Sequence, residues 1–342
     1  MSAPKFKLRH WVNNKTMAKL SHTPFLVTII IPCYNYDQYI EKCIQSVLNQ
    51  TYKSIEVIVV DNGSTDDSLE KIRAFSHDPR VVIIELKENI PPGSGTNSAF
   101  RIAFNKSNGS YIGVLYADDW YLPDKIEKQM ELFSKCASSV GVVYCHGYRY
   151  FEKDKTKIEF KQQSFRGYVF KDYLKEGNLV IPISPLVKRC CYEIIGLNNL
   201  WTGSEYDFFM MSQYVDFDYV DENLVVMRMH NNNDAKHTLS VYERVKLFHS
   251  IALSDSNTVL RGEGLINKRV ASDFIAYGLT FTVKMDMNHA RDAIIQAIKA
   301  YPVCIFKPKV IASLSLSFLP NIVSKYLLTV FGKSPDIKLD IY

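Results

Sequence analysis

Between residues 26 and 146 the chain alternates short β-branched runs with segments of helical spacing, and that alternation limits the folds open to it. The runs are LVTIII (26–31), IEVIVV (55–60), VVIIEL (81–86), YIGVLY (111–116) and VGVVYCH (140–146). Each is nearly continuous in apolar residues, the pattern of a strand covered on both faces. Between the first two, Ile40, Cys43, Ile44, Val47 and Leu48 recur at helical spacing, with Asp37 as the expected N-cap. DSLEKIRAF, the stretch Ala99–Lys106 and PDKIEKQMELF supply the later helices, the last with Pro123 near its first turn. Strands joined by crossover helices form a mostly parallel sheet with helices on both faces, an α/β Rossmann-like fold. Such sheets take ligands beyond the carboxyl ends of their strands.

That rule lines up three polar clusters on one rim. The first, IPCYNY, offers Tyr34 as a stacking surface and Asn35 as a donor and acceptor, although a strand-ending Pro32 and a packed tyrosine are equally ordinary. In the second, DNGSTDD, Asn62 is placed to read a base edge and Asp61 to accept from a sugar or imide, while Asn-Gly and Asp-Asp also build plain turns. In the third, ADD, the neighbouring Asp118 and Asp119 repel each other at the edge of an apolar run. One carboxylate at a strand end binds Mg2+ or Mn2+ while its neighbour holds a metal-bound water or a ligand hydroxyl. An isolated pair would more simply cap the next helix; two companion loops on the same rim favour a ligand.

Beyond residue 147 the pattern loosens. YRYFEKDKTKIEF reads as a polar hairpin, GYVFKDYLKEGN as a helix, LVIPISPLV as a strand, SEYDFFMMSQYV as a helix and YVDENLVVMRMH as a late strand. From about residue 238 helical patterns dominate, as in HTLSVYERVKLFHSIAL and HARDAIIQAIKAY. The expected organisation is a basic extension over 1–24, an α/β domain over 25–235 and a helical region over 236–342.

The stretch IIIPCYNYDQYIEKCIQSVLNQTYKSIEVIVVDNGSTDDSLEKI, followed by NGSYIGVLYADDWYLPDKIEKQ, resembles the N-terminal half of family 2 glycosyltransferases, inverting nucleotide-sugar enzymes with a GT-A fold. The resemblance is dense over 25–135 and thinner to about 232. It implies that Pro32, Tyr34, Asn35, Asp61 and Asn62 line a nucleotide site and that Asp118 holds a divalent metal on the diphosphate. The family's acidic motif is D-x-D-D, whereas Tyr116 fills the first acidic position here. Arg101 stands where the family often has asparagine, placed to meet a phosphate or simply a surface arginine. By the same resemblance WTGSEYDFF carries the general base, with Glu205 at the base position and Asp207 two residues on as orienting group or alternative base. Acidic residues at a helix start also complement its dipole. VVMRMHNNND resembles an R-x-H segment that brings Arg228 and His230 to the diphosphate, His230 completing the metal shell or hydrogen-bonding a phosphate.

The implied cofactor is Mg2+ or Mn2+, the donor a nucleoside-diphosphate sugar (a UDP-sugar first), and the acceptor a glycan or lipid-linked glycan in surface polysaccharide or glycolipid assembly. A formal charge of +5 suits a phosphate-bearing ligand or an anionic membrane surface and is too small to argue for nucleic acid. Seven cysteines without a C-x-x-C pair read as reduced thiols of a cytoplasmic protein. VIASLSLSFLPNIVSKYLLTVF (310–331), broken by Pro320, Asn321 and Lys325, reads as a helical hairpin packed on the main domain or, alternatively, as an interfacial segment that would make the protein peripheral at the inner face of the membrane. A nucleotidyltransferase would need a Gly-rich activating loop that IPCYNYDQYI lacks. Tyr116 and Glu205 keep open a degenerate domain that binds sugar nucleotides without turning them over.

Overall fold

The computed structural model describes residues 25–91, 98–177, 180–196, 205–230 and 238–319, without the side chains of Glu205 and Asn257. These residues form two compact units. One comprises the residues up to Tyr173 and those from 180 to 230; the other comprises Leu174–Gly177 and the residues from Thr238 onward.

The first unit opens with β1 (Val27–Cys33), α1 (Ile40–Leu48), β2 (Ile55–Asp61), α2 (Ser68–Arg73), β3 (Val81–Glu85), α3 (Ala99–Lys106) and β4 (Tyr111–Val114). It continues with β5 (Trp120–Tyr121), α4 (Lys125–Lys135), β6 (Val140–Phe151), β7 (Thr156–Phe160), α5 (Phe170–Glu176), β8 (Leu186–Lys188), α6 (Arg189–Ile195), α7 (Glu205–Met211) and β9 (Asp216–Met229). Among the described residues the strands make one nine-stranded sheet in the order β3-β2-β1-β4-β8-β6-β9-β5, with β7 paired to β6. The β3-β2-β1-β4 half is parallel throughout. Beyond β4 the sheet is mixed, because β8 runs antiparallel to both β4 and β6 while β6 and β9 are parallel to each other.

Four details differ from the sequence reading, one being that the strand expected over LVIPISPLV is, among the described residues, confined to Leu186–Lys188. The fourth strand stops at Val114 instead of Tyr116, because only its first residues find partners on β1 and β8. Tyr39, not Asp37, occupies the N-cap of α1; the Asp37 amide instead donates to Asp66 Oδ2 at 3.1 Å, tying the chain to the next loop. The fifth strand runs on to Phe151 and pairs with β7, so the expected hairpin is an extension of the sheet.

Helix α1 buries Ile40, Cys43, Ile44 and Val47, the face its spacing marks. Val27, Ile29, Ile31, Val57 and Val59 meet it in a core that reaches Leu186 and Val225. The order of β2, β1 and β4 makes the strand sequence reverse direction between β1 and β4, so a crevice opens beyond their carboxyl ends.

The second unit is helical: α8 (Thr238–Ser254), α9 (Ser256–Gly262), α10 (Leu265–Val283), α11 (Met287–Ala300), a 3-10 turn (Pro302–Phe306) and α12 (Pro308–Leu316). α10 and α11 cross closely, since a Cβ on Gly278 would meet Ile294 Cδ1 at 2.6 Å. Among the described residues no helix is long and apolar enough to cross a membrane. The basic extension and residues 320–331 lie outside the described residues.

Lys125, in the first turn of α4, is fully buried. Its ammonium lies 3.9 Å from the Tyr121 ring centroid and has no hydrogen-bond partner among the described residues. Burial lowers its pKa to about 8 from 10.5. The folded state therefore releases this proton before the unfolded chain does, so stability rises with pH between those two values. Below pH 8 the buried charge costs on the order of 3 kcal/mol. Lys125→Met is expected to raise the melting temperature by several degrees at pH 7, with the gain fading towards pH 10.5. An unchanged or lower melting temperature at pH 7 contradicts this reading.

Candidate active site at the end of the parallel strands

The crevice is built from three loops that the sheet brings to one rim. Pro32 sits in β1 beside Val60, and Cys33 beside Asp61, where β1 has already outrun β4. Tyr34 follows at 38% exposure. Asn35 adopts a φ of 57°, a left-handed conformation that asparagine tolerates better than most residues. Two contacts hold it there: its Oδ1 accepts from the Thr65 amide at 2.8 Å, and its own amide donates to Ser64 Oγ at 3.0 Å.

Asp61 ends β2 and is 1% exposed. Its Oδ2 accepts from the Ser64 amide at 3.2 Å, while Oδ1 has no partner among the described residues. A buried carboxylate oxygen without a donor is costly, so it marks a place where a ligand donor would be held tightly. Asn62 is engaged otherwise. Its Nδ2 donates to Asn89 Oδ1 and the Ile90 carbonyl, and its Oδ1 accepts from the Ile90 amide. The carboxamide fixes the loop after β3 instead of presenting an open edge. Gly63, at φ 74°, permits that approach, since a Cβ there would meet the Glu88 backbone at 2.6 Å.

The aspartate pair sits in a turn after β4, with the Asp119 amide donating to the Tyr116 carbonyl at 3.0 Å. Both aspartates are buried. The end of β9 supplies what holds them. The Arg228 amide donates to Asp119 Oδ1 at 2.8 Å, and Arg228 Nε donates to the Asp118 carbonyl at 2.9 Å. Arg228 Nη1 pairs with Glu152, and the guanidinium lies over the rings of Tyr39 at 4.5 Å, Trp120 at 4.9 Å and Tyr150 at 5.6 Å. Lys42 stacks on Trp120 as well, 3.4 Å from its centroid. His230 Nε2 lies 3.0 Å from Asp118 Oδ2, its ring 5.1 Å from that of Tyr39. Burial first, and Asp118 second, push the Asp119 carboxyl well above the usual range, opposed by the Arg228 amide.

Do these side chains suit a divalent cation? Two adjacent ligands on an octahedral Mg2+ or Mn2+, each at about 2.1 Å, stand about 3 Å apart. The Asp118–His230 separation of 3.0 Å, a hydrogen bond in this structure, equals that edge in length. Among the described residues no three acidic, histidine or cysteine side chains converge on one point. Asp119 aims Oδ1 at the Arg228 amide. The chain thus offers a two-sided seat, with water and diphosphate oxygens left to complete the shell, as Mg2+ prefers.

Arg101 lies in the first turn of α3, half-buried, its amide capped by Ser98 Oγ at 3.3 Å. Glu205 begins α7, but its side chain and the preceding WTGS lie outside the described residues. Asp207, one turn in, is 3% exposed. It is close enough to Tyr192 on α6 that, after burial, its carboxylate is the next cause of that phenol's raised pKa. Tyr116, in the position of the missing acid, packs against the core, and its carbonyl receives the Cys43 thiol at 3.4 Å. The sequence reading missed Tyr39, Lys42, Trp120, Tyr150 and Glu152. Only the i, i+3 spacing of Tyr39 and Lys42 hints at a shared face; Glu152 carries no local signal.

A profile of the family described as "Glycosyl transferase family 2" matches residues 28–186. An uncharacterised glycosyltransferase of Rickettsia typhi is 33% identical over 243 residues, 66% of this chain and 72% of that one. The chain belongs to glycosyl transferase family 2. A chondroitin synthase of Pasteurella multocida is 26% identical across 77% of this chain, which spans only 32% of that larger protein. In fold, the chain is similar to residues 1–349 of Staphylococcus aureus TarS in complex with UDP-GlcNAc, with a TM-score of 0.60 at 15% identity over 91% of this chain and 88% of that one. It is also similar to the mannosyltransferase PcManGT of Pyrobaculum calidifontis in complex with GDP-Man and Mn2+, with a TM-score of 0.51 at 15% identity over 96% of each chain.

Arg228→Lys keeps the charge and the backbone amide but loses the planar fork that reaches Asp118 and Glu152. Stability is expected to fall by about 1–3 kcal/mol, and sugar transfer by about 10- to 100-fold as the aspartate turn loosens. Glu152→Gln, which leaves a neutral acceptor, is expected to move both in the same direction by less. Melting curves and steady-state rates check this, and an Arg228→Lys protein equal to wild type in both removes the clamp from the account.

Proposed function

We propose that the chain transfers a sugar from a nucleoside-diphosphate sugar, a UDP-sugar first, to the hydroxyl of a glycan or lipid-linked glycan, with inversion at the anomeric carbon. The assembly of a surface polysaccharide or glycolipid is the setting proposed for it. The observation that carries this reading is the buried Asp118–His230 contact at the strand switch point, within a family of sugar-transferring enzymes. Support for the donor class comes from fold neighbours complexed with UDP-GlcNAc and GDP-Man. The chondroitin and hyaluronan synthases among the relatives support the polymer setting.

In this reading Asp61 receives a donor from the base or ribose on its open oxygen, Tyr34 offers a stacking face, and Pro32, Asn35 and Asn62 shape the loops around them. Asp118 and His230 hold Mg2+ or Mn2+, with Asp119 behind them, and Arg101 faces the phosphates. A bound divalent ion supplies positive charge against the departing diphosphate. Glu205 takes the proton of the acceptor hydroxyl. The freed oxygen pair forms the new bond to the anomeric carbon from the face opposite the diphosphate, whose oxygen leaves with the electron pair of the old bond. Asp207, buried at the start of the same helix, orients Glu205.

Turnover of a panel of nucleotide sugars, with and without Mn2+, tests the proposal. Asp118→Asn is expected to lower kcat by about 100- to 1,000-fold and remove the Mn2+ dependence. Glu205→Gln is expected to lower kcat about as much while leaving nucleotide affinity within about twofold. Full turnover by the Asp118 variant rules out its assigned role. Wild-type protein that binds nucleotide sugar yet transfers nothing would instead mark a sensor or scaffold.

A further inference from the structure

Helix α12 leaves apolar side chains outward while burying hydroxyls. Ser313, and Ser317 just past its end, are 1% and 2% exposed beside Val310. Ser313 Oγ shares a 2.6 Å hydrogen bond with Thr282 Oγ1 of α10. Outward lie Ile311 at 51%, Phe318 at 66% and Leu319 at 38% exposure. The preceding 3-10 turn repeats the arrangement: Cys304 points in, while Val303, Ile305 and Phe306 are 60%, 40% and 80% exposed. Single exposed apolar side chains are ordinary. Six within residues 303–319, around a helix that buries Ser313, are not what water selects.

The charges along this segment have one sign: from Ala293 to Leu319 the sequence has three lysines, Lys299, Lys307 and Lys309, and no aspartate or glutamate. Lys307 and Lys309 are exposed, flanking Phe306 and preceding Ile311. At the other end the Arg291 guanidinium lies 4.3 Å from the Phe318 ring centroid. We infer that this face docks on an anionic lipid bilayer, with Phe306, Ile311 and Phe318 entering the headgroup boundary and Lys307 and Lys309 meeting the lipid phosphates. Apolar area and cationic rim are the two contributions that hold interfacial helices to anionic membranes. α12, nine residues long, rises only about 13 Å, so it lies in the surface and does not cross it. The inference is independent of which sugar is transferred.

Flotation of the full chain with vesicles tests it, using phosphatidylcholine alone or mixed with phosphatidylglycerol. The wild type is expected to float with the mixed vesicles and to be released by added salt. Phe306→Ser with Ile311→Ser is expected to weaken that binding at least about tenfold. Lys307→Glu with Lys309→Glu is expected to remove the preference for phosphatidylglycerol. Both pairs should keep the wild-type melting temperature and turnover of a soluble acceptor, which separates loss of docking from loss of the enzyme. A wild type that floats with neither vesicle, or serine variants that float equally well, overturns the inference. Self-association abolished by the serine variants, without vesicle binding, assigns the face to a second copy and overturns it too.

Discussion

Two carboxylates buried side by side at the end of β4 repel each other and have lost most of their hydration, so something outside their own turn must fix them. Arg228 does this from the next-to-last position of β9. Its amide holds Asp119, its guanidinium holds the Asp118 carbonyl, and Glu152 with a stack of rings holds the guanidinium. Hydrogen bonds to charged groups contribute roughly 1.5–3 kcal/mol each. The arrangement leaves the Asp118 carboxylate facing His230 instead of folding back on its neighbour.

The sheet explains why these groups meet. β1 and β2 end opposite each other at Cys33 and Asp61, while β4 parts from β1 at Ile30 and runs on into the acidic turn, and β9 reaches the same rim through its long pairing with β6. Asp119 and Arg228 are 109 residues apart in sequence. The rim thus combines early loops that suit a nucleotide with a late strand end that fixes the acidic turn. Tyr116, in the position of the family's first acid, packs against the core, and His230 is the side chain that faces Asp118.

The parallel half of the fold was legible because buried strands and amphipathic helices carry different periods, and Ile40, Cys43, Ile44 and Val47 proved to be the buried face they spell out. The loops carrying Asp61 and Asp118 were legible because strand ends dictate where polar residues gather. Capping was misread at Asp37, since its amide is drawn to Asp66 across two loops. Asn62 looked open because the sequence does not reveal that residues 89 and 90 fold back onto its carboxamide. The cage around Arg228 was invisible for the same reason. Tyr39 caps α1, Trp120 lies in β5, and Tyr150 and Glu152 sit at the end of β6, so their meeting depends on sheet order, and sheet order is a long-range property.

The central claim is that Asp118 and His230 form a seat completed only when a diphosphate and a divalent cation arrive together. Calorimetric titration of UDP and of GDP into the protein, with and without Mn2+, tests that claim most directly. The account predicts that for one of the two nucleotides Mn2+ tightens binding at least about tenfold, and that Mn2+ alone binds weakly. Equal affinity with and without Mn2+ for every nucleotide bound contradicts it.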